Sequence, residues 1–150
     1  MKRIIAYILL LLGVAVVPVE KQDVAKLRPI EVIYICNRNG AILLQTDTDD
    51  LGVGMDTQSA LENMKQTSPA VIYLDTARYL LIGPGGEEPA QQLQGILKDN
   101  VRICKTEESI PLTDVATYLP VHENLPRFSC WLEGEKLPVL TLENGRIKIS

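Results

Sequence analysis

Residues 30–44 read Ile-Glu-Val-Ile-Tyr-Ile-Cys-Asn-Arg-Asn-Gly-Ala-Ile-Leu-Leu. Ile30 to Cys36 is rich in β-branched and aromatic side chains, which fit a pleated, packed surface. Asn39-Gly40 separates this run from a second apolar one, Ala41 to Leu44. A two-residue hairpin turn needs positive φ at both central positions, and Asn-Gly tolerates that better than any other common pair. The stretch reads as a β-hairpin, and the architecture follows from what flanks it.

On the carboxyl side, Thr46 to Gly54 reads as an acidic loop. A helix starts near Asp56 or Thr57, either of which can cap it, with Ser59-x-x-Glu62 as a capping box one step later. Ala60, Leu61 and Met64 fall on one helical face, and Pro69 ends the helix. Val71–Leu74 and Tyr79–Ile82 are short β-like runs, either one bent strand or a tight pair across Asp75 to Arg78. Gly83-Pro84-Gly85-Gly86 breaks the chain. Pro89 suits a first helical turn, and Leu93, Ile96 and Leu97 mark the buried face of a helix reaching Asn100. Val101–Cys104 reads as a strand. Pro111 opens a third helix, with Leu112, Val115, Ala116 and Leu119 at helical spacing, and Pro120 ends it. His122 to Arg127 is a loop, Phe128–Leu132 and Leu137–Leu142 are β-like, and Asn144-Gly145 turns into Arg146–Ile149 as a second hairpin. Strands alternating with helices predict an α/β (α+β) domain: a mixed sheet with three helices packed on it in two or three layers, and β-hairpins at both ends.

On the amino side stands Met1-Lys2-Arg3, followed by Ile4 to Val17 without one charged or polar side chain. A basic start before an apolar block engages a bilayer and the export machinery, and the basic pair holds the cytoplasmic side. Fourteen residues at about 1.5 Å rise reach about 21 Å, short of a hydrocarbon core of about 30 Å. That length suits a cleaved signal peptide. Gly13-Val14-Ala15 offers small residues for cleavage but would leave Val16 and Val17 on the mature chain, so a short uncleaved anchor and a buried core helix stay open as alternatives. The first cysteine, Cys36, is too far on for lipid attachment. The sequence divides into a signal peptide or short anchor (1–19), a polar tether (20–29) and a single α/β domain (30–150), placed outside the cytoplasmic face of a membrane, secreted or anchored by its amino terminus.

The chain has 15 basic and 19 acidic residues. Lys2 and Arg3 belong to the leader, so the remainder has 13 basic residues against 19 acidic, a net charge of −6. An acidic surface disfavours nucleic acid and anionic membrane surfaces as partners. With 5% aromatic residues there is no stacking platform for bases or sugars. Cys36, Cys104 and Cys130 form no Cys-x-x-Cys pair, so neither a zinc ribbon nor a thioredoxin-type site is read here. Cys36 and Cys104 read as small buried hydrophobes, with one disulfide plus a spare thiol as the alternative in an oxidising compartment.

Three segments invite a chemical reading. Asp47-Thr48-Asp49-Asp50-Leu51-Gly52 resembles the start of a calcium loop, but Leu51 fills an oxygen-ligand position and Gln58 stands where a bidentate Glu belongs. Gly83 to Gly86 precedes a helix, yet no Lys-Ser or Lys-Thr follows, and Glu87 and Glu88 in the first turn would repel a phosphate. His122, the only histidine, lacks the context of a Ser–His or Cys–His catalyst. No residue is assigned a catalytic, metal or cofactor role, and no cofactor is called for.

The segment Gly54-Met-Asp-Thr-Gln-Ser-Ala-Leu-Glu-Asn-Met64, then Pro69, Val71-Ile-Tyr-Leu74 and Tyr79-Leu-Leu-Ile-Gly83 resembles the amino-terminal domain of the C subunits of bacterial spore-germination nutrient receptors. The resemblance covers about Gly54 to Leu119. It implies an α/β domain outside the cytoplasmic membrane with an assembly role and no catalysis, and it carries over no site residue. Members of that family are longer lipoproteins, whereas no lipobox cysteine stands here. The resulting expectation is an exported or membrane-tethered, non-catalytic domain of a bacterial envelope or spore that binds another envelope or membrane protein. A cation or small-ligand site on the Asp47–Asp50 loop and an unfamiliar enzyme around His122 are the alternatives.

Overall fold

A computed structural model of the chain describes residues 27–122 and 124–150. The leader (1–19) and most of the tether fall outside the described residues. Among the described residues, nine strands and four α-helices follow in chain order: β1 Leu27–Pro29, β2 Val32–Arg38, β3 Ala41–Thr46, β4 Leu51–Gly54, α1 Thr57–Thr67, β5 Val71–Tyr73, β6 Tyr79–Ile82, α2 Glu87–Gln91, β7 Arg102–Thr106, α3 Leu112–Tyr118, α4 Phe128–Leu132, β8 Val139–Glu143 and β9 Arg146–Ile149.

Seven strands form one mixed sheet in the order β4-β3-β2-β6-β7-β8-β9. Its centre, β2-β6-β7-β8, is parallel, while the β3–β4 and β9 flanks are antiparallel. Successive side chains of a strand point to opposite faces, and both faces of the central strands are covered. Ile33, Ile35, Leu80, Ile82 and Ile103 pack with α1, α2 and Phe128 of α4 on one side. Val32, Tyr34, Cys36, Tyr79, Leu81 and Cys104 pack with Leu112, Val115 and Leu119 on the other. The result is three layers. β2 and β6 read as continuous apolar runs because neither face meets water.

Both Asn-Gly hairpins form, with Asn39 at φ 53° and Gly40 at 84°, and Asn144 at 51° and Gly145 at 74°. The first lies inside the sheet, since β2 also pairs with β6 and β3 with β4. It therefore offers no free edge. The helix at Asp56 forms as read, but its capping box is Asp56 with Ser59, not Ser59 with Glu62.

Several segments depart from the sequence reading. Part of the supposed loop 46–54 is strand β4, whose Gly52 and Gly54 let α1 approach: a Cβ on Gly52 would lie 2.1 Å from the Ala60 carbonyl oxygen. Val71–Tyr73 and Tyr79–Ile82 are neither one strand nor a pair. β5 pairs in parallel with β1, at the end of the expected tether, while β6 joins the main sheet. A 3₁₀ turn, Leu74–Thr76, links them. The helix expected to reach Asn100 stops at Gln91, and turns carry Leu93 and Leu97 into the core. Phe128–Leu132 is helix α4, not a strand.

Candidate functional site

The acidic loop is built for structure. Asp47 Oδ1 accepts the backbone N–H groups of Glu31 and Val32 at 3.0 and 3.1 Å, pinning the start of β2. Asp50, only 4% exposed, accepts the hydroxyls of Thr48 at 2.6 Å and Ser68 at 2.6 Å. These carboxylate oxygens are spent on the fold, and no group of three or more His, Cys, Asp or Glu side chains among the described residues could hold a metal ion.

The glycine-rich turn is equally occupied. Gly83 N–H donates to the Ile35 carbonyl at 2.8 Å and Asn37 N–H to the Pro84 carbonyl at 3.0 Å, so the turn closes on the carboxyl end of β2. A Cβ on Gly83 would lie 2.2 Å from the Tyr34 hydroxyl, which is why no side chain fits there. Burial, with Cys36 beside it, pushes that hydroxyl up to about 12, so it stays protonated. Glu87 at the start of α2 is ion-paired with Lys105.

The three cysteines are free thiols. Burial pushes the Cys104 thiol up to about 12, which leaves it without nucleophilic thiolate. Cys130 lies half-buried on α4 and opens onto a shallow cleft with Glu135.

His122 follows α3 and a 3₁₀ turn, half-buried, with its ring centroid 4.3 Å from that of Tyr118. It stands on the rim of a different hollow, a polar cleft of about 640 Å³ at the amino-terminal ends of β6 and β7. Arg78, Lys98, Arg102, Arg127 and Asp75 share its lining. No cysteine lines this cleft, so His122 and Cys130 are not brought together. The four cations lie up to fifty residues apart in a chain of net negative charge, and nothing in their spacing announces them. The parallel register aligns the beginnings of β6 and β7, and an antiparallel bridge sets Arg127 beside Arg102.

A second surface feature is apolar. Leu51 is 47%, Val53 45% and Met55 82% exposed. Leu51 and Val53 point away from α1, because the intervening Gly52 faces it. Helix α3 lies over the centre of that side of the sheet, packed with β2, and leaves these side chains of β4 in water.

No family, no curated protein and no solved structure matches the chain.

Proposed function

We propose that the chain is an interaction domain without catalytic activity of its own, carried outside the cytoplasmic face of a bacterial membrane by residues 1–19, and that it grips another envelope protein through the Leu51–Val53–Met55 strip. The observation that carries this reading is the strip itself. Three large apolar side chains within five residues stand exposed, Leu51 and Val53 on the edge strand β4 and Met55 just after it. Contiguous exposed apolar surface of this kind marks contact sites, whereas scattered single residues do not. The resemblance of Gly54 to Leu119 to a germination-receptor domain, which begins beside this strip, points to the same assembly role and to a bacterial envelope or spore.

A photoreactive amino acid placed at Val53 of the full chain in the producing cells tests the reading. A single cross-linked adduct of defined mass is expected at Val53 and not at Gln66, which is exposed on α1. The adduct should vanish when Leu51 and Met55 are both changed to Ser with the melting temperature unchanged. Absence of any protein adduct, or an adduct of twice the chain's own mass, would overturn the proposed partner.

A further inference from the structure

The cleft beneath His122 concentrates charge against the trend of the whole molecule. Arg78, Lys98, Arg102 and Arg127 converge on it, with Asp75 the single acid among the described lining residues, on a chain of net charge −4. Arg78, Lys98 and Arg127 are exposed and Arg102 is half-buried, so their charge is open to an incoming anion. The backbone fixes the arrangement. Arg102 N–H donates to the Arg78 carbonyl at 2.8 Å, and Arg102 forms an antiparallel bridge with Arg127. Three arginines thus occupy three adjacent backbone lines, spaced about 4.8 Å apart as neighbouring strands are.

Two of the guanidinium groups are positioned as well as gathered. Arg102 Nη1 donates to the Leu125 carbonyl at 2.6 Å, and Arg78 lies 5.6 Å from the Tyr79 ring centroid. A guanidinium has five N–H donors, so each keeps several for a ligand. The ion pairs among the described residues are Lys105–Glu87 and Lys148–Glu143, and neither involves this cleft. Arginine forks match the paired oxygens of phosphate better than a point charge does, and a hollow of this volume lies in the range of small-molecule sites.

We propose that this cleft binds a multiply charged phosphate-type oxyanion, held by Arg78, Arg102 and Arg127 with Lys98 at its rim. The same chemistry can come from a free diphosphate or phosphorylated small molecule, or from an anionic lipid headgroup. The second source is within reach because β1 pairs with β5, and the turn after β5 supplies the Asp75 wall of the cleft. A chain held in a bilayer by Ile4 to Val17 would therefore enter the fold beside this site.

The test uses the full chain in phosphatidylcholine vesicles, its melting followed by circular dichroism, with inorganic pyrophosphate as the soluble probe. A rise of several degrees is expected with pyrophosphate, absent with sodium chloride at equal ionic strength. The apparent affinity should weaken about tenfold in Arg127→Gln, the loss of one charge-assisted contact. In vesicles containing phosphatidylglycerol, a rise without added pyrophosphate that Arg127→Gln abolishes would assign the headgroup as the source. Arg127→Gln is preferred to Arg102→Gln because Arg102 also holds the Leu125 carbonyl; Lys98→Gln, at an exposed position whose side chain has no described hydrogen bond, provides the second variant. No rise in either arm, an equal rise with chloride, or a rise unchanged in both variants would overturn the site.

Discussion

Gly52 shows how one missing methyl group positions a helix. A Cβ there would lie 2.1 Å from the Ala60 carbonyl oxygen and 2.6 Å from Met64 Cβ, so α1 would have to lift off β4. Gly52→Ala is expected to lower stability by about 1–3 kcal/mol, the usual cost of overpacking, read from the urea midpoint. Gly40→Ala is the contrast. Nothing stands within 4 Å of its Cβ, and only the φ of +84° opposes it, so a smaller loss of about 1 kcal/mol is expected from backbone strain alone. Equal losses at the two positions would contradict the close-contact explanation. The same residues explain why sequence reading missed β4. Glycines that admit a helix look like loop glycines until the helix is in place. Asn39-Gly40 was legible because its signal is local: the turn needs positive φ whatever packs around it.

Among the elements, α1 has the strongest cap. Asp56 Oδ1 accepts the Ser59 N–H at 2.7 Å, and the Ser59 hydroxyl oxygen accepts the Asp56 N–H at 3.2 Å. Hydrogen bonding to the carboxylate from Ser59, its backbone N–H first, holds the Asp56 carboxyl below its ordinary value of 3.8. A carboxyl depressed in the folded state adds stability above its unfolded pKa and loses it as pH falls through the folded one. Asp56→Ala is therefore expected to lower the melting temperature at neutral pH, and the gap from the parent chain should narrow as pH drops below 3.8. A gap that stays constant with pH would show that the carboxylate charge has no part in the cap. Helix starts of this kind are readable because the cap sits beside the residues it serves. Phe128–Leu132 was not readable in that way. Five residues, Phe-Ser-Cys-Trp-Leu, are too few to separate a period of two from one of 3.6. What decides is tertiary: Phe128 packs fully buried on the α1 and α2 side of the sheet, and Phe128 N–H donates to the Val101 carbonyl at 2.8 Å.

At the scale of the molecule, the three layers close over Cys36 on β2 and Cys104 on β7, which share the α3 side of the sheet. Cys130 is outside that core and half-buried. In the native chain a thiol reagent is expected to label Cys130 alone at mildly alkaline pH. Labelling of Cys36 and Cys104 should follow the unfolded fraction across a denaturant series, because both are buried beneath the α3 layer. Labelling of all three at one rate would mean that α3 does not stay on the sheet. The mixed sheet was legible from the alternation of strands and helices. The cationic cleft was not, because charge summed along a chain says nothing about where strand register gathers it. Arg78, Arg102 and Arg127 meet through pairings between segments far apart in sequence.

One consequence of the β4 edge concerns safety in a crowded compartment. An apolar strand at the rim of a sheet would ordinarily be a template for aggregation, adding strand after strand from other copies. Here the outward Val53 N–H is already taken by the Asn63 side chain at 3.0 Å. Helix α1 thus satisfies part of the backbone at the rim and leaves the side chains bare. A partner can pack on those side chains while growth into a fibril is resisted, and Asn63 is the residue that separates the two fates.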